Sequence, residues 1–234
     1  MQGIDLGRFI VGIIGNILSG LLFVSPVPIF SRICNNKSTE EFPPYPYLAG
    51  VMNCMLWIFY GLPYVHPDST LLLTIYSFGL FLEITYLSVF FIYSSKNKYR
   101  WIIFICLFVE LVVLGVIVAF TILSIHTYEK RSMFVGIVCN IFGIIMYASP
   151  LSNLFNVIKT KSAEFMPFWL IVAGFANGIT WFTYAFLKTV DLYIAVGNGI
   201  GLLFCLIQPL VFACYTFKPN SSAAASEDAV SSNS

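Results

Sequence analysis

The chain has 234 residues, 59% of them hydrophobic and 10% charged, with a formal net charge of +1 and a mean hydropathy of +0.87. That balance excludes an ordinary water-soluble domain, and the near-zero charge offers nothing to nucleic acid. The apolar stretches are long and recurrent, so they read as membrane spans and not as the short core of a cleaved leader.

Seven spans are predicted, each close to or above the ~20 residues an α-helix needs to cross hydrocarbon. The first, about 7–31, contains Ser25-Pro26; an internal proline deletes a backbone hydrogen bond and bends its helix. After a polar break from Arg32 to Glu41, the prolines Pro43, Pro44 and Pro46 open the second, 44–65, which carries Asn53, Trp57 and Tyr60. The third, 69–93, holds Tyr76 and Glu83, and the fourth, 101–125, holds Glu110. Ser149-Pro150 lies in the fifth, 133–157. Pro167 opens the sixth, 167–187, with Asn177, Trp181 and Tyr184. The seventh, 191–217, sets Asn198 between Gly197 and Gly199. The Ser/Ala-rich tail from Pro219 reads as disordered.

Laid over residues 11–61 without a gap, residues 135–185 give sixteen identities in 51 positions. They include Asn16/Asn140, Ser25/Ser149, Pro26/Pro150, Lys37/Lys161, Glu40/Glu164, Asn53/Asn177, Trp57/Trp181 and Tyr60/Tyr184. Shared greasiness would match Ile, Leu and Val; these matches are mostly polar or aromatic. The chain is therefore a duplicated membrane module, the mark of many transporters, whose sites lie where the halves meet.

Seven spans put the termini on opposite sides. One side carries Arg32, Lys37, Lys96, Lys98, Arg100, Lys159, Lys161 and Lys218; the other carries Arg8, Lys130, Arg131 and Lys188. The positive-inside rule makes the first side cytosolic, with the N-terminus outside or lumenal and the C-terminus cytosolic. The predicted fold is all-α and integral to the membrane: two parallel three-helix repeats (1–94 and 127–217), a linker helix (95–126) and a cytosolic tail (218–234).

Asn53, Trp57 and Tyr60 fall at i, i+4 and i+7 and share one helix face, and Asn177, Trp181 and Tyr184 repeat the pattern. Two such faces across a pseudo-axis would give aromatic planes for the C–H faces of a sugar and amides for its hydroxyls. The alternative is an interfacial aromatic belt with asparagine as interhelical glue. Trp57 lies well inside its span, which favours the pocket. Asn198, flanked by glycines, adds a further pocket amide; aligning Gly79 with Gly201 pairs it with Tyr76. Pro26 and Pro150 are expected as hinges, whereas the prolines after the loops also suit a first helical turn.

Glu83 and Glu110 lie within spans, where each needs a partner, water or a proton. Glu83 is seven residues after Tyr76, so a proton-coupling role is open to it beside a structural one. Asp68 and Asp191 are expected as helix N-caps without a part in the chemistry. The six cysteines are scattered with no metal-ligand spacing, so no metal, cofactor or disulfide framework is expected.

Together these strings (Gly15-Asn16, Ser25-Pro26, Lys37-Ser38-Thr39-Glu40, Asn53 through Trp57 to Tyr60-Gly61, Lys159 to Pro167, and Asn198-Gly199) resemble the plant-type SWEET sugar transporters of the PQ-loop superfamily. The resemblance covers about residues 7–217. It implies bidirectional facilitated diffusion of sugars without proton coupling, a sugar pocket at Trp57, Tyr76, Trp181 and Asn198, and gating prolines at Pro26, Pro46, Pro150 and Pro167. The family usually has asparagine at the place of Tyr76. A bulky Trp57 beside Tyr76 suggests a small pocket and a glucose-type monosaccharide. Homo-oligomerisation is expected within the bilayer of the plasma or vacuolar membrane.

Rival classes fit less well. A retinal protein needs a lysine inside the seventh span, which has none. A proton-coupled PQ-loop transporter of amino acids predicts ionisable groups on the pocket faces, which here are neutral. No nucleophile–base pair suggests an enzyme.

Overall fold

In the computed structural model, residues 2–40, 42–94, 97–146, 168–187 and 190–216 are described. They form eight helical segments: α1 (Gln2–Val24), α2 (Val27–Asn36), α3 (Tyr45–Gly61), α4 (Thr70–Tyr93), α5 (Asn97–Ser124), α6 (Tyr128–Met146), α7 (Phe168–Phe186) and α8 (Leu192–Thr216). α1 and α2 together are the first span, and α3, α4, α5, α7 and α8 follow the second, third, fourth, sixth and seventh predicted spans within a few residues; α6 covers the fifth as far as Met146, and residues 147–157 lie outside those described.

The break between α1 and α2 falls at Ser25-Pro26. Proline cannot donate to the helical ladder; Ser25 compensates there by donating both its backbone N–H (3.2 Å) and its hydroxyl (2.7 Å) to the carbonyl of Leu22. α2 ends on Lys37 in the left-handed conformation (φ 48°). The loop beyond it is held by Glu40, which accepts from Arg32 and Asn36 and whose carboxyl those bonds keep below its ordinary pKa. Pro44 caps α3 and Pro46 sits in its first turn, where a missing N–H costs nothing. Asp68 takes a left-handed φ of 65° and the N-cap of α4 is Ser69. The expectation that Asp68 caps this helix is therefore corrected by one residue.

Helix contacts repeat between the halves. α4 packs against both α1 and α3, and α8 packs against both α6 and α7, so the last helix of each triplet lies between the other two. Across the halves α1 meets α7 and α3 meets α6, a reciprocal pairing that a pseudo-two-fold axis requires. α5 leans on α3, α4 and α6. Ile103 and Thr121 are its buried residues, and its other faces expose Phe104, Phe108, Leu111, Val116 and Leu123. A helix of 28 residues that is apolar all round belongs in lipid. Four stretches among the described residues are long and apolar enough to cross a membrane unaided: Asp5–Asn36, Thr70–Tyr93, Asn97–Ser124 and Trp169–Phe186.

One buried cluster forms where the halves meet, around Leu56, Trp57, Tyr60, Cys139, Trp181 and Tyr184. A second, around Phe30, Ile33, Val51, Tyr86 and Phe90, fills the opposite end of the first triplet.

Candidate sugar-binding site

Between the halves lies a cavity of about 190 Å³ lined by Asn53 and Trp57 of α3, Tyr76 of α4, Asn140 and Gly143 of α6, and Gly197 and Asn198 of α8. An adjoining space of about 280 Å³ shares Asn53, Tyr76 and Met146 with it and adds Ser19, Leu22, Phe23 and Asn177. Four of the expected residues (Asn53, Trp57, Tyr76 and Asn198) therefore converge on one cavity, and Asn177 faces the neighbouring one.

Trp181 does not line either cavity. Its indole N–H donates to the Ser19 hydroxyl at 2.9 Å, and that hydroxyl donates to Oδ1 of Asn177 at 2.7 Å. The indole is 4% exposed and packs against Gly15, where an added Cβ would come within 3.0 Å of it. The repeat explains the asymmetry. The counterpart of Ser19 at the offset of 124 is Gly143, so among the described residues no equivalent hydroxyl ties down Trp57 and Asn53. The tryptophan and asparagine of α7 are thus held by α1, while those of α3 stay with the cavity.

Tyr76 stacks on Trp57, with ring centroids 5.6 Å apart and planes 11° from parallel. The edge of Phe23 meets Tyr76 at 6.5 Å. One indole face is thereby covered by a phenol. Asn198 donates to the carbonyl of Ile194 at 2.9 Å, which leaves its side-chain carbonyl as the acceptor end. Both Asn140 amide hydrogens go to backbone carbonyls, of Gly136 (2.9 Å) and Tyr193 (3.0 Å). Its Oδ1 is buried without a partner, against Gly197. Asn140 was visible in the repeat as the partner of Asn16, but sequence reasoning did not assign it to the pocket.

Tyr60, expected on the pocket face, is fully buried and borders neither cavity. Its hydroxyl donates to both carboxylate oxygens of Asp191, at 2.9 and 3.0 Å. Nε2 of His66 lies 3.2 Å from the same carboxylate, and its Nδ1 lies 2.9 Å from the Ser132 hydroxyl. The Ser132 hydroxyl donates its one hydrogen to the carbonyl of Val65 at 2.7 Å, which leaves its oxygen to accept from Nδ1 of His66. Burial holds His66 below the ordinary histidine pKa, against the opposing pull of Asp191. Arg131 lies 4.0 Å over the Tyr64 ring. Each of these contacts joins the first triplet to the second. Asp191 does cap α8, accepting from the N–H groups of Tyr193 and Ile194 at 3.1 Å each. The expectation that it does nothing further is corrected: the same carboxylate is the hub of the cross-repeat latch.

Pro26 lies at the break in the first span and Pro46 in the first turn of α3, while Pro150 and Pro167 lie outside the described residues. Glu83 and Glu110 each keep one buried carboxylate oxygen without a hydrogen-bond partner, and neither borders the cavity between the halves. Among the described residues no group of His, Cys, Asp and Glu side chains could hold a metal ion.

The family model for a sugar efflux transporter for intercellular exchange matches residues 9–98 and 133–220, which are the two halves without α5. The chain belongs to the SWEET family of sugar transporters. Bidirectional sugar transporter SWEET7 of Arabidopsis thaliana is 50% identical over 212 residues, 91% of this chain and 82% of that protein. Bidirectional sugar transporter SWEET7b of Oryza sativa subsp. indica is 49% identical over 215 residues, 90% and 79% of the two chains. A solved structure of a eukaryotic SWEET transporter superposes with a TM-score of 0.86 at 33% identity, covering 92% of this chain and 99% of that one. The family match and the apolar helices make this a multi-pass membrane protein.

Proposed function

We propose that this chain is a bidirectional sugar uniporter that carries a glucose-type monosaccharide down its gradient by alternating access. The relatives named above are bidirectional sugar transporters. The observation that carries the reading is the chemistry of the cavity between the halves. It offers the amides of Asn53 and Asn198 and the aromatic faces of Trp57 and Tyr76, with no Asp, Glu, Lys, Arg or His among its described lining residues. Neutral donors and acceptors beside an aromatic slab suit a neutral polyhydroxyl ligand. A proton-coupled carrier needs an ionisable group that senses the bound substrate.

Size favours one sugar ring. A volume of about 190 Å³ is small beside the ~300–1,000 Å³ typical of drug-sized ligand sites. Leu22, Phe23 and Met146 crowd the adjoining space.

In this mechanism the triplets rock about the sugar. The Tyr60–Asp191–His66 cluster closes the outer mouth, and the proline-bearing ends work the cytosolic one, with Pro26, Pro46, Pro150 and Pro167 as the hinges. The N-terminus faces outward or into a lumen, the C-terminus is cytosolic, and the membrane is plasma or vacuolar. The exposed apolar flank of α5 supports self-association in the bilayer.

The test is glucose flux into proteoliposomes of the purified protein, with and without an imposed pH gradient and with sucrose as competitor. Equilibrative uptake that ignores the gradient, and that glucose analogues inhibit better than sucrose, supports the proposal. Accumulation driven by protons overturns it.

A further inference from the structure

α4 and α5 frame a groove on the outer flank of the bundle that is built like a head and a tail. At the end where α4 finishes and α5 begins, a cavity of about 390 Å³ is lined by Phe91, Asn97, Arg100, Trp101 and Phe104. Phe91 and Phe104 also line a second cavity, of about 260 Å³, that runs past Ser88 to Leu107. From Arg100 to Leu107 the groove follows seven residues of α5, about 10 Å at 1.5 Å per residue.

Its polarity changes along its length. The first cavity has an amide, a guanidinium and an indole; the second is apolar but for the Ser88 hydroxyl, which is spent on the carbonyl of Ile84 at 2.8 Å. Arg100 gives two of its five N–H donors to the last turn of α4, at the carbonyls of Phe91 (3.1 Å) and Ile92 (3.3 Å). No Asp or Glu occurs between Glu83 and Glu110. Among the described residues, neither ion pair involves Arg100. Lys98 stands exposed two residues away and adds positive charge at the same end of the helix. Trp101 is 62% exposed, an indole at the border of the apolar belt, where tryptophans meet lipid headgroups.

We propose that this groove binds one anionic phospholipid from the surrounding leaflet. Its phosphate sits at Asn97, Arg100 and the Trp101 indole, and one acyl chain lies along Phe104 toward Leu107. Charge decides the occupant. A basic end opening into an apolar trough complements an anionic amphiphile, whereas a second copy pairing this face two-fold would bring its own cations against these. The site rests on the membrane-spanning reading of the chain but not on the identity of the transported sugar.

The experiment is native mass spectrometry of the purified protein titrated with phosphatidylglycerol or phosphatidylcholine, paired with thermal unfolding in nanodiscs of each lipid. Wild type is expected to retain phosphatidylglycerol preferentially and to unfold at higher temperature in its presence. A charge-assisted hydrogen bond of about 1.5–3 kcal/mol makes Arg100→Gln weaken that retention by about tenfold or more. Arg100→Gln also removes the bonds to α4, so Ser88→Phe serves as the second variant. It fills the tail groove from an exposed position, leaves Arg100 intact, and is expected to lose the phosphatidylglycerol preference while unfolding normally in phosphatidylcholine. Equal retention of the two lipids by wild type overturns the site, as does an undiminished preference in Ser88→Phe. Spontaneous Trp101→Cys crosslinks between copies, with no lipid retained, overturn it in favour of a protein interface.

Discussion

Ser19 holds Trp181. The indole N–H donates to the Ser19 hydroxyl at 2.9 Å, and the same hydroxyl donates onward to Asn177 at 2.7 Å. Because Gly143 stands where the repeat would put a second serine, no equivalent hydroxyl among the described residues restrains Trp57 and Asn53. Ser19→Ala therefore strands the buried Trp181 N–H and releases Asn177 toward the cavity it lines. A loss of about 1–3 kcal/mol is expected. At roughly 2–4 °C per kcal/mol for a chain of this size, it should be visible in a detergent melting curve. Gly143→Ser, which adds a hydroxyl to the cavity wall, is expected to change sugar affinity more than melting temperature.

The latch centred on Asp191 makes a second expectation. Tyr60→Phe removes a hydroxyl that donates to a buried carboxylate, and such charge-assisted bonds are worth about 1.5–3 kcal/mol. If the latch closes one mouth, its closed population falls by about tenfold to a hundredfold relative to the open one. A cysteine placed at Ser132 should then react with a membrane-impermeant thiol reagent faster in Tyr60→Phe than in the parent. Unchanged labelling would show that the cluster is a structural brace and not a gate.

His66 gives that latch a pH dependence whose sign can be worked out. Burial lowers its pKa in the folded protein below the ordinary value of 6.5, so the unfolded chain binds more protons in the window between the two values. Stability must therefore fall as pH drops from above 6.5 toward the folded pKa, and level off below it. The expected result is a melting temperature that declines on mild acidification in the parent and declines less in His66→Gln. A rise on acidification would mean that the pull of Asp191 outweighs the burial.

Much of this architecture was legible in sequence because repetition of polar and aromatic residues survives where apolar ones interchange freely. The break at Ser25-Pro26 and the inward placement of Asn53 and Trp57 follow from it, whereas Asn198 was read from its flanking glycines and Tyr76 from the family resemblance. What escaped was set by which neighbour each side chain meets. Helical spacing put Tyr60 on the same face as Trp57, yet three residues further along the helix it reaches past the cavity to Asp191. Trp181 copies Trp57 in sequence and differs in partner, because the residue opposite is a serine in one half and a glycine in the other. Likewise Asp191 read as an N-cap, which it is. Its second bonding partner lies 131 residues away, beyond any local pattern.

Tyr76 sets the width of the cavity. Its ring lies flat on Trp57 at 5.6 Å and borders both adjoining spaces. Tyr76→Asn removes the phenol and supplies an amide, so the uncovered indole face and the added volume should together widen the range of sugars. The expected outcome is stronger competition by sucrose against labelled glucose, by about tenfold for each ~1.4 kcal/mol gained. Unaltered competition with normal expression would move the size filter to Leu22, Phe23 and Met146.

The last expectation concerns Glu83, seven residues along α4 from Tyr76. Its carboxyl group packs on the backbone of α3 at Gly50, where an added Cβ would lie 2.6 Å from it, and it borders neither cavity between the halves. A coupling acid has to exchange its proton in step with the substrate; this one is separated from the sugar position by α3 packing. Glu83→Gln keeps the shape and removes the charge, so glucose flux and its indifference to a pH gradient should both persist. Gly50→Ala should cost stability instead, because the new methyl must displace the carboxyl group from its seat between α3 and α4. The two variants separate the roles. Lost flux in Glu83→Gln at normal expression and melting temperature would restore proton coupling, whereas lost stability in Gly50→Ala alone identifies Glu83 as a packing element of the first triplet.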